Sequence, residues 1–381
     1  MFSPKLLFAS AIAVALVGST LAIFSLGVDA RNEEKVVVGG GHGLGTYRTT
    51  GDVLDPIGAD GRASAAEIDP VKYLRDFSYG RASVLDDGTT LREYTIIADD
   101  RQTVELSPGV YYNAWTFNGS IPGPTIRATE GDTVRIHFIN NGTKQHSMHF
   151  HGIHSAEMDG VFEIIGPGGQ FTYEFYAEPV GLHLYHCHVM PLEEHISHGL
   201  YGVYIVDPKT PSPEADEMVM VMNGYDTDFD TENNFYTVNG IPYYYMHHPI
   251  EIEKDRLVRI YLVNILEFDQ INNFHLHGNL FNLYRTGTSM TPDEYTDMVT
   301  MSQGERAILE FNYRYSGQYM FHAHKTEFAE KGWTGICFTS RSDMNGRAKR
   351  MAVRNFSKIG CKRSHTAGDT WRYGRVSAVA R

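Results

Sequence analysis

The sequence predicts an all-β fold made of two antiparallel β-sandwich domains, and three observations support this prediction. Charged residues make up only 21% of the 381 residues, whereas glycine occupies 37 positions and proline 15, a balance that suits short strands and turns. Apolar and polar residues alternate in short segments bounded by Gly, Pro, Asn or Asp, as in 133–138 and 170–176. An internal repeat of about 115 to 130 residues has the size of a sandwich domain.

Several matched segments, each present once in each half of the chain, define the repeat. The matched pairs are 118–119 and 239–240, 134–140 and 258–264, 149–152 and 275–278, and 185–188 and 321–324. The offset between matched segments changes little, so the copies differ by small loop insertions and not by rearrangement. We therefore predict two homologous domains.

The repeat also sets the predicted domain boundaries. We place the first domain at 91–208 and the second at 214–340, with a proline-containing linker between them. Residues 31–90 match neither copy and are rich in Gly, Ala and Asp, which predicts a surface arm. Residues 341–381 are rich in Lys and Arg. We expect this basic tail either to be solvated or to lie against an acidic protein surface or an anionic envelope or lipid layer.

One predicted strand of the second copy needs a separate interpretation, because Met218, Met220 and Met222 alternate along it. Such an alternation is compatible with a copper-binding methionine stripe. It is more typical of the core-facing side of a strand, since side chains at i and i+2 share one face. We favour the core interpretation.

The amino terminus resembles a targeting segment. After Lys5, an apolar run from 6 to 28 is interrupted only by small residues and is followed by polar residues. Its length suits either a cleaved signal peptide or a membrane anchor within 1–30, and both alternatives stay open. In both cases we expect the remaining chain to lie outside the cytoplasm, as a secreted, periplasmic or outward-facing anchored protein. Membrane or envelope association through this segment or the basic tail is a further expectation.

The three cysteines form an odd number, which is unusual for an exported chain. Cys337 either pairs with Cys361 in the basic tail or is a small buried core residue. Cys187 differs from both because His186 and His188 flank it directly. This setting indicates a thiol with a chemical task.

The overall charge limits the class of partner. Lys and Arg number 33 against 46 Asp and Glu, and the formal net charge is −13. Such a balance argues against a protein that coats nucleic acid. The most unusual feature of the composition is instead the presence of 18 histidines.

Eight of these histidines occur as four His-x-His pairs at equivalent places in both repeats. The pairs are His149 and His151, His186 and His188, His275 and His277, and His322 and His324. In a strand the two members of each pair point to the same side. Eight buried imidazoles without partners would be costly, and neutral imidazole is the commonest metal ligand. Eight nitrogens exceed what one metal ion can use, so we predict a multinuclear metal site.

A second group of chemically active residues exists only in the first repeat. Two imidazoles and one thiolate, from His146, His195 and Cys187, match the trigonal donor set of a blue copper site. The second repeat has Asn272, Ala323 and Phe328 at the three matching positions. The joint loss of all three residues indicates that they form one site.

These motifs resemble the signature motifs of multicopper oxidases. The resemblance rests on His146-Ser-Met-His149-Phe-His151-Gly, on His186-Cys187-His188 and on His195-x-x-x-Gly199-Leu200, and it extends over about residues 90 to 340. The sequence is most similar to the two-domain, laccase-like group, which is related to copper nitrite reductases. This resemblance implies two cupredoxin-like domains with the type 1 copper in the first.

The resemblance also implies a ligand set for about four coppers per chain. The type 1 copper is expected on His146, Cys187 and His195. The type 2 copper is expected on His149 and His275. The type 3 pair is expected on His151, His186, His188, His277, His322 and His324. Leu200 stands at the usual axial position and cannot coordinate, and Met190 is the alternative axial residue.

The implied reaction is the one-electron oxidation of a reducing substrate at type 1 copper, coupled to four-electron reduction of dioxygen to water at a trinuclear cluster. The reductant is a phenol or aromatic amine, or a metal ion, and we expect electrons to enter through the edge of His195. Cys187 lies one residue from both His186 and His188, which gives a short covalent path. The resemblance also implies homotrimers, with each cluster at an interface between two chains.

Reduction of dioxygen consumes protons, so a carboxylate near the cluster is expected. Asp159 resembles the acidic residue of the family, and its alternative interpretation is a turn aspartate before Gly160. Glu327 is a weaker candidate that is better explained as a solvated residue. We expect His154, His183 and His198 to be surface residues or neighbours of ligands, since they match no ligand position.

Other functions remain as alternatives. A copper nitrite reductase, which converts nitrite to nitric oxide, resembles the chain in its two domains and its His-Cys site but needs fewer histidines. An electron carrier would leave the four His-x-His pairs unexplained. A metallo-oxidase would differ from a laccase only in what docks near His195, so the substrate stays open.

Overall fold

The computed structural model describes residues 64–66 and 68–340, and it shows two β-sandwiches arranged one after the other along the chain. The all-β, two-domain fold class predicted from the sequence is confirmed. The candidate signal or anchor segment, the basic tail and Cys361 lie outside the described residues. Among the residues that are described, every helix is too short or too polar to cross a bilayer.

Two packed sheets form the first sandwich. Its strands are β1 (Ser64–Ala65), β2 (Phe77–Ser78), β3 (Arg81–Val84), β4 (Thr90–Ser107), β5 (Val110–Phe117), β6 (Gly123–Thr129), β7 (Thr133–Asn140), β8 (His149–Phe150), β9 (Gln170–Tyr176), β10 (Gly181–His186) and β11 (Tyr201–Asp207). One sheet has the order β1-β4-β7-β9, with β3 and β5 also paired to β4, and the other has the order β2-β6-β11-β10-β8. The helices of this half are α1 (Pro70–Tyr73), a single 3-10 turn (Ala156–Met158) and α2 (Leu192–Ser197).

The second sandwich repeats this plan. Its strands are β12 (Asp216–Tyr225), β13 (Phe235–Val238), β14 (Ile250–Glu253), β15 (Val258–Asn264), β16 (Ile271–Leu276), β17 (Phe281–Arg285), β18 (Glu294–Thr296), β19 (Met298–Ser302), β20 (Arg306–Phe311), β21 (Gly317–His322) and β22 (Thr334–Ser340). The sheet orders are β13-β12-β15-β20-β17-β18 and β14-β22-β21-β16-β19, and the helices are α3 (Tyr244–His247) and α4 (Thr326–Glu330). Most strand pairs are antiparallel, but β4 with β7 and β12 with β15 run parallel at matching places.

The strands form where alternating apolar side chains can enter a core. On β7, Val134, Ile136 and Phe138 are fully buried, whereas the residues between them are more exposed. Burying each of these side chains stabilises the fold by about 1.5 to 3 kcal/mol. Met218, Met220 and Met222 on β12 are also fully buried among apolar side chains. Their interpretation as a core face is confirmed.

Part of the predicted surface arm belongs to the fold. Strands β1 and β3 pair with β4, and β2 pairs with β6, so the segment from residue 64 onward extends both sheets of the first sandwich. Tyr73 and Leu74 are buried, and Leu74 packs in the core of the second sandwich. The prediction of a surface arm is therefore wrong for Tyr73 and Leu74, whereas most of 79–88 is exposed although it pairs with the sheet. Strands of two to four residues carry too little alternation to be recognised in a sequence.

A buried arginine joins the two sandwiches. Arg127 on β6 donates two hydrogen bonds of 2.8 Å to Asp207 at the end of β11, and others of 2.7 and 3.0 Å to Glu217 on β12. The Tyr261 hydroxyl also donates to Glu217, at 2.7 Å. Apolar residues from β10 and from β12 share one buried cluster beside this network. The contact surface between the sandwiches is therefore both apolar and ion-paired.

Replacing this arginine tests the importance of the network. Arg127→Met retains most of the side-chain volume but leaves the carboxylates of Asp207 and Glu217 without their main partner. We expect the free energy of unfolding, measured with guanidinium, to fall by about 3 kcal/mol. Arg285→Met removes an exposed pair with Glu294 and should change stability by less than about 1 kcal/mol. Equal effects of the two variants would contradict this account of the interface.

Candidate metal centres

The three residues proposed for a blue copper site lie close together near the end of β10. Cys187 follows the last residue of β10, His195 lies in α2, and His146 lies in the loop before β8. The Cys187 Sγ lies 3.1 Å from His195 Nδ1 and 3.9 Å from His146 Nδ1, and the two Nδ1 atoms are 3.3 Å apart. All three residues are buried. We call this group the thiolate trio.

Hydrogen bonds fix the orientation of the trio. His146 Nε2 donates to Asp100 Oδ2 at 3.2 Å, which leaves Nδ1 free to face Cys187. The backbone N–H groups of Thr143 and Lys144 also donate to the Asp100 carboxylate. Burial alone would raise the pKa of Asp100, but the hydrogen bonds from His146 and the two N–H groups hold it well below its usual range. Asp100 thus remains an anion that orients the imidazole.

Burial sets the protonation states of His195 and Cys187 in the trio. Burial, followed by the charge of His146, lowers the pKa of His195 to about 4, so its imidazole is neutral and can coordinate. Burial raises the pKa of the Cys187 thiol to about 11. A cation bound there would favour the thiolate, and the buried N₂S donor set fits copper.

The two candidate axial residues differ in position. Leu200 is fully buried beside the trio, where its carbonyl accepts the Cys187 N–H at 2.9 Å and its own N–H donates to the His195 carbonyl at 3.2 Å. The side chain of Met190 is largely exposed. Leu200 is therefore the residue packed against the trio.

A second group, which we call the first quartet, consists of His149, His151, His186 and His188. Strands β8 and β10 are paired so that His149 lies opposite His186. His151 and His188, the second members of the two pairs, follow just beyond the ends of β8 and β10, and their rings approach that of His149. The ring centroid of His149 lies 5.1 Å from those of His151 and His186 and 5.2 Å from that of His188.

The second sandwich builds the same arrangement, the second quartet, from His275, His277, His322 and His324. His275 lies opposite His322 in the pairing of β16 with β21. The His275 ring lies 4.8 Å from that of His277 and 5.4 Å from those of His322 and His324. In each quartet, three histidines offer nitrogens within 4.8 Å of one another.

The quartets differ in exposure. His186 is buried and the other three histidines of the first quartet are half-buried, whereas His277 and His324 of the second quartet are exposed. Burial lowers the pKa of His151 to about 3 and that of His186 to about 4, so both imidazoles are neutral. The quartets form two separate groups within the described part of the chain.

Asp159 lies beside the leading histidine of the first quartet. Its backbone carbonyl accepts from His149 Nδ1 at 2.7 Å, and its carboxylate lies 3.2 Å from the same nitrogen. Asp297 does the same in the second quartet, where its carbonyl accepts from His275 Nδ1 at 3.0 Å. Glu327, in contrast, lies on α4 with a half-exposed side chain near Lys331.

Two of these acidic residues were missed by sequence reasoning. Asp297 shares an Asp-x-Val pattern with Asp159, a signal that comparison of the repeats could have found. Asp100 has no such signal. It lies where the pairing of β4 with β5 shifts register, and this irregularity directs its side chain toward His146.

The edge of His195, where we expect electrons to enter, is buried in this chain. His195 is only 3% exposed, and Trp115 packs edge-to-face against it with ring centroids 4.9 Å apart. His154 Nε2 donates to the Phe150 carbonyl and His183 Nε2 donates to the Pro179 carbonyl, at 2.8 Å each, and neither histidine joins a quartet.

Comparison with known proteins gives consistent matches. Two sequence profiles described as multicopper oxidase match residues 100–211 and 211–341. A solved multicopper oxidase is 55% identical, with a TM-score of 0.71 over 72% of this chain and 98% of that chain. This neighbour shares the fold of two cupredoxin-like sandwiches.

More distant relatives include reductases and oxidases. The copper-containing nitrite reductase of Neisseria meningitidis serogroup A is 28% identical over 58% of this chain and 63% of its own length. Laccase-8 of Oryza sativa subsp. japonica is 28% identical over 55% of this chain and 43% of its own length. The chain therefore spans less than two thirds of the length of these two relatives.

The support that Asp100 gives to the trio can be measured. Asp100→Leu leaves three N–H groups and one hydroxyl without their acceptor, and we expect the copper-free protein to lose about 2 kcal/mol or more of unfolding free energy. Copper titration followed by absorbance should show weaker binding at the trio. Asp87→Leu removes a carboxylate from an exposed turn and is the matched control. Unchanged copper binding in Asp100→Leu would show that His146 needs no such support.

Proposed function

The chain belongs to the multicopper oxidase family, and on this basis we propose that it oxidises a reducing substrate one electron at a time and reduces dioxygen to water. The proposed cofactor is copper, about four ions per chain. Bound copper supplies one-electron redox chemistry, and four such ions match the four electrons that dioxygen requires. The proposed reductant is a phenol, an aromatic amine or a metal ion.

One observation carries this proposal: in the part of the chain that the structure describes, a single trio accompanies two quartets that are built alike. The trio, His146, Cys187 and His195, would hold type 1 copper. His149 and His275 would hold type 2 copper, and the remaining six histidines of the quartets would hold the type 3 pair. Burial keeps the imidazoles of His151 and His186 in the neutral form that binds metal.

The residues between the trio and the first quartet supply the connection. Cys187 belongs to the trio, while its neighbours His186 and His188 belong to the first quartet. His186 Nδ1 donates to the Cys187 carbonyl at 2.9 Å, which orients Nε2 toward His151. The segment His186-Cys187-His188 therefore links the trio, which is proposed to accept electrons, covalently to the first quartet, which is proposed to use them.

We propose that the complete cluster forms between chains of a homotrimer, the first quartet of one chain facing the second quartet of the next. The exposure of His277 and His324 supports this assembly, because a complete metal site shields its ligands. Exposed apolar side chains near both quartets support it as well. They include Ile153, Phe162, Ile271 and Leu280.

Copper nitrite reduction is the second candidate function, and the relatives named above favour it as much as they favour oxidation. A single catalytic copper needs far fewer than eight histidines. The complete pairs in both quartets therefore support the oxidase. We further propose that the enzyme acts outside the cytoplasm, because the apolar run at 6–28 resembles a targeting segment.

Mixing two inactive variants tests the shared cluster. His186→Ala/His188→Ala damages the first quartet, and His322→Ala/His324→Ala damages the second. Each homotrimer should be unable to consume oxygen. Co-expressed chains should recover about a quarter of the wild-type oxygen uptake, since random mixing joins two intact quartets at about one interface in four.

The control for this mixing is a pair of variants in the same quartet, His149→Ala with His186→Ala/His188→Ala, which should recover no activity in any mixture. Recovery in the control would point to contamination by wild-type enzyme, because exchange of subunits between these two variants cannot create an intact first quartet. Absence of recovery in the main experiment, with intact mixed trimers in native mass spectrometry, would refute clusters shared between chains.

Asp159 is the proposed proton-handling carboxylate. Asp159→Asn keeps the backbone carbonyl that accepts from His149, so copper content should stay unchanged while oxygen uptake slows by about ten-fold or more. Asp297→Asn is the matched variant in the other quartet. Copper loss measured by atomic absorption in Asp159→Asn would instead assign this residue a structural role.

A further inference from the structure

An aromatic ring covers His195, the residue of the trio through which electrons are proposed to enter. His195 is 3% exposed, and Trp115, which contacts it, is itself 2% exposed. A reductant in solution cannot touch either ring over a useful area. Electrons must therefore cross other side chains before they reach the trio.

A stack of rings leads outward from Trp115. Trp115 lies 4.6 Å from His198 at an interplanar angle of 14°, and His198 lies 6.1 Å from Phe229 at 26°. Asn113 fixes the first two rings, since its carbonyl accepts from His198 Nδ1 at 2.7 Å and its side chain accepts from Trp115 Nε1 at 2.8 Å. We call Trp115, His198 and Phe229 the aromatic ladder.

The outermost ring comes from the other sandwich and is held in a costly conformation. Phe229 lies in the loop after β12, has a φ of 62° and is 67% exposed. A bulky residue rarely adopts this left-handed conformation. Hydrogen bonds from the N–H groups of Phe229 and Thr231 to the buried Asp226 carboxylate, at 2.7 and 2.8 Å, hold the loop in place. The fold spends free energy on presenting an apolar ring to solvent.

Negative charge surrounds this ring. Carboxylate oxygens of Asp226, Asp228 and Asp230 lie within 4.8 Å of one another, and Asp228 and Asp230 are exposed on either side of Phe229. A planar donor that stacks on Phe229 would meet these carboxylates at its edge. A positive charge on the donor would therefore be favoured.

The second sandwich shows which parts of the ladder are specific. Tyr236 and Phe328 occupy the places of Trp115 and His195, and they stack 3.8 Å apart. Lys331 occupies the place of His198, with its ammonium 5.7 Å from the Tyr236 ring centroid. The ring-on-ring contact is therefore common to both repeats. The outward extension through His198 to Phe229 accompanies only the trio.

We infer that Phe229 is the docking ring for a planar aromatic amine that carries a positive charge, and that its electrons cross the aromatic ladder to His195. This inference rests on the proposed oxidase function. Each event would remove one electron from the π system of the amine and pass it across the ladder to His195, one of the three residues that would hold the copper that accepts it. Any proton lost from the oxidised amine goes to solvent.

The test compares Phe229→Ala, Phe229→Tyr and Tyr295→Ala in the copper-loaded full chain. Tyr295 is an equally exposed aromatic residue on β18 and serves as the matched control. The substrates are N,N-dimethyl-p-phenylenediamine, assayed at a mildly acidic pH where one of its nitrogens is protonated, and ferrocyanide, an anionic donor with no aromatic ring. We expect Phe229→Ala to lower kcat/KM for the diamine about five-fold more than for ferrocyanide. Phe229→Tyr should restore the diamine rate, and Tyr295→Ala should behave as wild type.

A binding measurement separates docking from turnover. Trimethylphenylammonium, a redox-inert aromatic cation, is titrated by calorimetry, and its affinity should fall about five-fold in Phe229→Ala and in Asp228→Asn/Asp230→Asn. Equal affinity in all variants, with an unchanged diamine preference, would overturn the inference. If the wild type binds this cation at Phe229 but consumes no oxygen with any donor, the proposed oxidase function fails while the docking ring stands.

Discussion

The alternation of side chains along paired strands is what places the chemistry of this protein. A His-x-His pair directs two imidazoles to one side of a strand, and pairing with a neighbouring strand in register doubles that number. His149 lies opposite His186, and His275 lies opposite His322, so each sandwich gathers four imidazoles at one sheet edge. A shift of one residue in either pairing would turn the ligands to the opposite side. The packed core that fixes the register therefore also determines where these histidines lie.

Burial determines the protonation state of these candidate ligands. The imidazoles of His151, His186 and His195 have lowered pKa values because charge is costly inside the protein, and neutral imidazole is the form that coordinates. Burial has the opposite consequence for Cys187, whose raised pKa favours the neutral thiol until a cation is bound. The protein therefore prepares a site that a soft metal ion completes. Asp100, an anion held by backbone N–H groups, orients the site without binding the metal.

The sequence was sufficient for the features that repeat. The duplicated His-x-His pairs predicted two sandwiches and two histidine groups, and the loss of the trio from the second copy identified those three residues as a unit. Features that depend on tertiary packing were not predictable. Asp100 is directed by a local register shift, and Phe229 approaches the trio from a different sandwich. Strands of two residues, such as Phe77–Ser78, carry no periodic signal and were assigned to a surface arm.

The central claim is that the two quartets and the trio hold a mononuclear and a trinuclear copper site. Copper quantification combined with electron paramagnetic resonance on the copper-loaded protein tests it most directly. The account predicts about four coppers per chain, with an intense thiolate absorption band and about half of the copper silent in resonance because two ions are coupled. About two coppers per chain, all visible in resonance, would contradict the account and favour a nitrite reductase.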